Sequence, residues 1–138
     1  MMGATQRQKD SMKKRAKSLK DQGVCVRCGK GSTLTKNGVL CYNCMQKHIK
    51  FRIDQRRRVL RHYGGKCACC SESNLKFLTI DHLLGGGMQH RKQIKGQHIE
   101  AWLEKNEYPE GYQVLCYNCN CGQQYNVDNP GICPHKEG

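Results

Sequence analysis

The chain has 138 residues, of which 37% are hydrophobic and 7% aromatic, so it is long enough for one domain or two very small ones and too polar for a large apolar core. Its net charge of +13 is carried by the first half, because residues 1–63 contain 17 Lys/Arg and 3 Asp/Glu whereas residues 64–138 contain 7 and 8. No stretch has the apolar character of a leader or a bilayer span, so we expect a cytoplasmic protein with no membrane partner.

Residues 1–24 form a polar, basic arm at the start of the chain. Met12, Ala16 and Leu19 have the rough spacing of a helical face, which predicts either a weak helix or a disordered segment that orders on binding. The charge of this arm and of the whole first half favours a polyanionic partner, usually nucleic acid. A solvated basic surface is the alternative.

Residues 25–44 contain two CxxC pairs separated by twelve residues, with the turn signal Asn37-Gly38 between them. The turn predicts a β-hairpin. Eleven cysteines in a chain expected to stay reduced indicate metal sites rather than disulfides, and very small units often need such a staple. Four thiolates in two such loops are typical of a closed structural zinc site. The predicted zinc ligands are Cys25, Cys28, Cys41 and Cys44.

Residues 45–62 have the composition of a basic helix that ends at Gly64-Gly65. Four apolar side chains can share one face, namely Met45, Ile49, Ile53 and Leu60. Basic side chains cover most of the other faces and predict contacts with DNA phosphates. We assign this role to Lys47, Lys50, Arg52, Arg56, Arg57, Arg58 and Arg61. The zinc unit and this helix together make a predicted DNA-binding domain over 25–63.

Residues 64–138 form the last predicted domain and contain a second set of two CxxC pairs. The same reasoning predicts a second structural zinc, with the ligands Cys67, Cys70, Cys116 and Cys119. Alternation, breakers and apolar spacing predict the elements in between. These are a strand over 75–81, a glycine-rich loop over 85–96, a helix over 97–107, a strand over 112–115 and a helix over about 117–125.

Both cysteine sets end in the string VLCYNC, but only the second set encloses an Asp-His pair. Asp81 and His82 end a predicted strand, and Asn120 directly follows the last cysteine, where the first set has Met45. A histidine near its ordinary pKa can deprotonate water at neutral pH. Carboxylate and amide oxygens suit a hard divalent cation that offsets charge on a phosphate. The three side chains therefore predict metal-assisted cleavage of a phosphodiester bond.

The pattern C-x2-C … DH … GGG … LC-x2-C-N, over about residues 60–135, resembles the HNH or ββα-metal nuclease family, and most closely its small phage endonucleases of the homing type. The resemblance implies a small, zinc-stabilised, treble-clef-like α+β fold. It also implies that Asp81 and Asn120 bind a catalytic Mg²⁺ or Mn²⁺ and that His82 is the general base. Gly111 departs from the family, since a middle asparagine that braces the catalytic loop usually occupies this position. Its absence puts that bracing in doubt.

The resemblance further implies a phage or mobile-element gene acting inside a bacterial cell. A single active site favours nicking of DNA by a monomer, or double cleavage by a DNA-bound dimer, and the oligomeric state stays open. The glycine-rich loop could approach a phosphate, with His90 and Arg91 in contact with it, or it could be an ordinary solvent loop. Trp102 is expected in the core rather than as a base-stacking side chain. The rival function is a non-enzymatic zinc-finger regulator that binds DNA or RNA. That rival accounts for cysteines and charge but not for Asp81, His82 and Asn120 together.

Three cysteines, Cys69, Cys121 and Cys133, fall outside the two sets. Cys121 and Cys133 with His135 could contribute to a further zinc site or tether the C-terminal end, but no fourth ligand is evident, so free or buried thiols are the expected state. A register in which Cys69 replaces a neighbouring ligand of the second set is also open.

Overall fold

The computed structural model describes residues 5–31 and 33–136, which form five α-helices, one 3-10 turn and a two-stranded sheet. The chain is a small α+β protein, as the sequence predicts. It divides into a first unit, Met1–Arg52, and a second unit, Ile53–Gly138, each of which is described by itself. The division differs from the expected boundary after residue 63. Residues 1–4 of the expected arm, residue 32 and residues 137–138 of the expected nuclease domain lie outside the described residues.

The basic arm contains helix α1, Gln6–Asp21, rather than a disordered segment. Thr5 and Gln8 form a capping box, in which each side chain accepts a hydrogen bond from the other residue's backbone N–H. Most residues of α1 are good helix formers such as Lys, Arg, Gln and Ala, which is why 16 residues form a helix although none of them is buried.

The segment between the first two cysteine pairs is a turn with one bridge rather than a hairpin of two strands. Leu34 and Cys41 form an isolated antiparallel bridge, and the N–H of Gly38 donates to the carbonyl of Thr35 at 2.7 Å. Gly38 has a φ of +63°, as the Asn-Gly turn requires. Helix α2, Tyr42–His62, then begins directly after Cys41, three residues before its predicted start.

Only part of the α2 face that apolar spacing predicts is buried. Leu60 is fully buried as expected, whereas Ile49 and Ile53 are 41% and 46% exposed. Val59, fully buried, and Gln55, 5% exposed, are buried in addition. Glu104 accepts a hydrogen bond from the amide of Gln55 at 2.8 Å, so the buried face includes a satisfied polar residue. The spacing of apolar residues alone cannot predict that Gln55 is buried, because its burial depends on the hydrogen bond to Glu104.

The sheet of the second unit pairs β1, Leu78–His82, with β2, Tyr112–Cys116, in antiparallel register. Helix α5, Tyr117–Tyr125, follows β2 without a loop, because the Cys116 side chain caps it by accepting from the N–H of Cys119. The predicted bounds of α5 are confirmed. A core that includes Leu60, Leu78 and Val114 joins α2 to both strands.

The region predicted as a glycine-rich loop contains a helix, α3, over Gly87–Gln93. Gly85 and Gly86 have left-handed φ values of +72° and +84° and turn the chain into this helix. A seven-residue helix is marginal alone, but the ring of His90 packs on Trp102 at a centroid distance of 4.3 Å. The loop prediction is therefore wrong because a tertiary contact stabilises the helix.

Helix α4, Ile99–Lys105, and a 3-10 turn, Pro134–Lys136, complete the second unit. Leu103 of α4 is fully buried and Trp102 is half-buried against His90, consistent with the expected core role of the indole. None of the helices in the described part of the chain combines the length and the apolar character that crossing a bilayer requires.

Candidate functional site

The first cysteine group lies in the first unit and could hold a zinc ion. Its four Sγ atoms lie within 4.8 Å of one another, and those of Cys28 and Cys41 are 3.9 Å apart. Two sulfurs bound to one tetrahedral zinc at about 2.3 Å are about 3.8 Å apart, which is far longer than a disulfide bond. The spacing therefore fits the predicted centre formed by Cys25, Cys28, Cys41 and Cys44.

Thiol acidity differs from residue to residue in this group. Hydrogen bonds from the backbone of Cys28 and then of Cys41 lower the pKa of the Cys25 thiol from 9.0 to about 6. Burial, and then contact with the other thiols, raises the pKa of Cys44 from 9.0 to about 12. The sulfurs do not ionise together, so a divalent cation that binds all four must displace protons.

The second cysteine group has the same geometry and lies at the base of the strand pair. The Sγ atoms of Cys70 and Cys116 are 3.7 Å apart, and all four sulfurs lie within 4.8 Å. Cys67 precedes β1, whereas Cys116 and Cys119 lie at the junction of β2 and α5. A zinc ion bound by Cys67, Cys70, Cys116 and Cys119 would thus fasten the loop before β1 to the start of α5.

Asp81 is held by two glutamines from different elements. It lies opposite Gln113 of β2, and its Oδ2 accepts from the Nε2 of Gln113 at 3.0 Å and of Gln123, in α5, at 3.1 Å. Within residues 5–31 and 33–136 no donor is hydrogen-bonded to Oδ1. One carboxylate oxygen is therefore fixed and the other is available to a ligand.

His82 is held from the opposite side of β1. Its Nε2 lies 2.9 Å from the Nδ1 of His90, and the hydroxyl of Tyr112 lies 3.3 Å from the same Nδ1. The rings of His82 and Tyr112, paired across the strands, have centroids 4.8 Å apart. One proton lies between the two imidazole nitrogens, and when His82 carries it on Nε2 its Nδ1 has a free lone pair.

The surroundings of His82 favour its neutral form. Burial lowers its pKa below the ordinary 6.5, and the nearby charges of His90 and Arg91 lower it as well, whereas Asp81 raises it. Gly87 lies against the free side of the ring, since a Cβ there would be 3.2 Å from Nδ1 of His82. Only a residue without a side chain leaves this nitrogen uncrowded.

Asn120 lies in the first turn of α5, where its Oδ1 accepts from the Nε2 of Gln124 at 3.1 Å. It is half-buried and stands three residues before Gln123, so the two lie on neighbouring positions of one helix face. Gln123 in turn contacts Asp81. No direct hydrogen bond joins Asp81 to Asn120 among the described residues.

Gly111, the position that departs from the expected pattern, contributes through its backbone. Its φ is +95°, a conformation that L side chains rarely adopt, and its carbonyl accepts from the N–H of Leu83 at 3.0 Å. Leu83 directly follows His82. The chain that leaves the Asp-His pair is thus tied to the start of β2 by a backbone hydrogen bond.

Sequence reasoning missed the residues that hold the pair, Gln113, Gln123 and Tyr112. Gln113 and Tyr112 could have been found only from the strand register, which pairs them with Asp81 and His82. Gln123 has no local signal, because its role depends on how α5 packs on β1.

Two arginines assigned to DNA have their guanidinium groups bound inside the second unit. Arg56 donates to Glu100 at 2.7 Å, to the hydroxyl of Tyr117 at 3.2 Å and to the carbonyl of Leu78. Arg58 donates to Glu104 at 2.7 Å, and this hydrogen bond is the main cause of the lowered pKa of that carboxyl. Both guanidinium groups are thus tied to α4, although Arg58 is still exposed to solvent whereas Arg56 is half-buried.

The other basic side chains differ in exposure. Arg52 is half-buried and makes an interaction of its own, and His90 is bonded to His82. The exposed members of the predicted DNA-binding set are Lys47, Lys50, Arg57, Arg58, Arg61 and Arg91. Of these, Arg57 makes only a loose pair with Asp54 at 3.6 Å.

Comparison of the chain with family profiles, with curated proteins and with solved structures finds no match.

Proposed function

We propose that the protein is a metal-dependent DNA endonuclease of the HNH, or ββα-metal, type. The observation that carries the proposal is that side chains of β2 and α5 both donate hydrogen bonds to Asp81, one residue before a His82 that is itself hydrogen-bonded. The arrangement also leaves the buried Nε2 of His90 without a hydrogen-bond partner among the described residues, which costs stability and therefore favours a functional role for it.

Asp81 and Asn120 would hold the catalytic Mg²⁺ or Mn²⁺. The donor set fits, since Oδ1 of Asp81 accepts no hydrogen bond within the described residues and an amide oxygen lies on the adjoining helix. A hard cation with few protein ligands keeps several waters, as Mg²⁺ prefers. When bound, it supplies Lewis-acid stabilisation of charge at the scissile phosphate and its leaving oxygen.

His82 acts as the general base. In the tautomer of His82 whose Nε2–H donates a hydrogen bond to Nδ1 of His90, Nδ1 of His82 is free to remove a proton from the attacking water. Consecutive residues of a strand point to opposite faces, which places the imidazole and the Asp81 carboxylate on opposite sides of the end of β1. In an in-line displacement the attacking and leaving oxygens lie on opposite sides of phosphorus, so a base on one side and a cation on the other would suit the reaction.

His90 is a positioning residue for this base rather than a phosphate contact. Its Nδ1 is already used by His82 and Tyr112, and its ring is held by Trp102. The substrate contacts in the proposal come instead from exposed cations, Lys47 and Lys50 in the first unit and Arg57 and Arg61 in the second. Phosphate contacts of this kind give affinity without reading sequence.

The rival is a zinc-finger regulator that binds nucleic acid without cutting it. The basic first unit and the two cysteine groups support both functions equally. The regulator offers no role for a carboxylate with one available oxygen beside a neutral imidazole.

A nicking assay separates the two. Purified protein with Mg²⁺ or Mn²⁺ is expected to relax supercoiled plasmid, and His82→Ala to reduce the rate at least a hundredfold, because a general base contributes about 10²–10⁴. The matched control is His48→Ala, which removes an exposed histidine of the first unit. Equal rates for wild type and His82→Ala would remove His82 as base, and DNA binding without cleavage in any metal would favour the regulator.

A further inference from the structure

A third group of metal-binding side chains lies beside the second cysteine group. It contains Cys69, Cys119, Cys133 and His135, whose ligand atoms lie within 4.8 Å of one another. The Nδ1 of His135 is 3.4 Å from the Sγ of Cys119 and 3.6 Å from the Sγ of Cys133. A sulfur and a nitrogen on one tetrahedral zinc are about 3.6 Å apart, so these distances fit metal ligation.

Cys119 belongs to both groups of the second unit. Together the two groups offer seven different ligand atoms, whereas two separate four-coordinate ions need eight. Seven ligand atoms are enough for two four-coordinate ions if one thiolate binds both ions. Cys119 is the shared member of the two groups and is fully buried, so its sulfur is the one that can bridge. Cys121, from the expected set of Cys121, Cys133 and His135, is exposed and lies outside the group, so Cys69 and Cys119 supply the two remaining ligands.

Two local features of the chain bring residues 133–135 next to Cys69 and Cys119. Gly122, in α5, makes room for this segment because it has no side chain. A Cβ at this position would lie 3.2 Å from Cδ of Pro134 and 3.8 Å from Sγ of Cys133. The N–H of Gly131 donates to the carbonyl of Gln123 at 3.1 Å, which turns the segment after α5 back along the helix. Cys133 is 5% exposed, although it lies near the end of a polar segment.

We propose that the second unit binds two zinc ions that share the thiolate of Cys119. One ion is closed by Cys67, Cys70 and Cys116, the other by Cys69, Cys133 and His135. The second ion fastens the segment after α5 onto the cysteine knuckle and thereby fixes the helix that carries Asn120 and Gln123. The proposal concerns metal content alone and stands whether or not the protein cuts DNA.

Metal content is measured by native mass spectrometry of the full chain purified from zinc-supplemented culture. We expect three zinc ions per chain, one in the first unit and two in the second. His135→Ala removes an exposed ligand with little risk to folding and is expected to lower the count to two, as is Cys133→Ser. Cys121→Ser is the matched control and keeps three. Two zinc ions in the wild-type chain, or three in the His135→Ala protein, would overturn the proposal.

The shared thiolate is tested by ¹¹³Cd NMR of the fully cadmium-substituted chain. Three resonances are expected, and two of them are split by coupling to each other through the bridging sulfur. Three resonances without mutual splitting would show two separate ions and overturn the bridge, with the extra ligand then supplied from elsewhere. In the Cys121→Ser chain the coupled pair persists.

Discussion

Arg56 and Arg57 are adjacent in α2 and carry the same charge, yet their guanidinium groups have different surroundings. Arg56 binds Glu100 of α4, the backbone of β1 and Tyr117 of α5. Arg57 is 55% exposed and makes only a loose pair with Asp54. Glu100 is 6% exposed, so its charge depends on a partner. The same residue type is therefore a structural link at one position and a surface cation at the next.

Replacing each arginine by alanine should separate stability from DNA binding. Arg56→Ala is expected to lower the free energy of unfolding by about 2 kcal/mol, because charge-assisted hydrogen bonds to a nearly buried carboxylate are lost. Arg57→Ala should change it by less than about 0.5 kcal/mol, as is usual for surface substitutions, and weaken DNA binding instead. Urea unfolding and DNA titration measure the two quantities. Similar stability losses in both variants would contradict the structural role of Arg56.

Gly87 is a second position where a single added atom, the Cβ of an alanine, should change the protein's activity. Gly87→Ala is expected to slow nicking about tenfold, because the new Cβ crowds Nδ1 of His82 and small misplacements of a catalytic group are costly. The change in stability should be small, since alanine is the better helix former in the first turn of α3 whereas its Cβ displaces the imidazole by a few tenths of an ångström. Gly31→Ala, whose Cβ would have an ordinary 3.9 Å contact, is the control. An undiminished rate in Gly87→Ala would argue against Nδ1 as the base.

At the scale of elements, α2 contributes to both compact units. Its residues up to Arg52 belong to the first unit, and its last ten residues belong to the second, where Val59 and Leu60 are fully buried. Composition places the domain boundary after residue 63, because the basic residues run that far. Packing places it at residue 52, because Cys44 of α2 is buried with the cysteines of the first unit whereas Gln55, Val59 and Leu60 are buried in the second.

Two truncations distinguish these boundaries. A chain that begins at Ile53 is expected to show a cooperative thermal transition, whereas one that begins at Gly64 is expected to be largely unfolded. The chain that begins at Gly64 lacks Leu60 and Arg56, which the chain that begins at Ile53 retains. Replacing one buried leucine by alanine already costs about 2–5 kcal/mol of stability. Circular dichroism melting curves measure both. A folded chain beginning at Gly64 would show that α2 is dispensable to the second unit.

At the scale of the whole molecule, the charge is segregated. The first unit contains 13 Lys/Arg and 2 Asp/Glu, a balance of +11, and the second contains 11 and 9, a balance of +2. If this charge contacts DNA phosphates, as proposed, binding releases counterions and the affinity depends on salt. The candidate nuclease groups belong to the second unit, whereas most of the charge belongs to the first.

Neutralising Lys47 and Lys50 together to glutamine should therefore weaken DNA binding without changing the chemistry. The slope of log affinity against log salt is expected to fall by about 2 if each side chain contacts one phosphate. The nicking rate at saturating DNA should stay the same. Lys105→Gln, an exposed position in α4, is the control. An unchanged slope would place the DNA contacts elsewhere.

Features that depend on neighbours along the chain could be predicted from the sequence alone. Each CxxC pair needs only a short loop, so the spacing of the cysteines was enough to predict both four-cysteine groups, and Cys116 with the residues after it was enough to predict α5. Other features became visible only in the folded protein, namely which arginine is bound, that α3 is a helix, and that Cys69 and Cys133 meet although 64 positions separate them. These features depend on contacts between segments that are far apart in the sequence. The spacing of residues along the chain does not show which distant segments pack together.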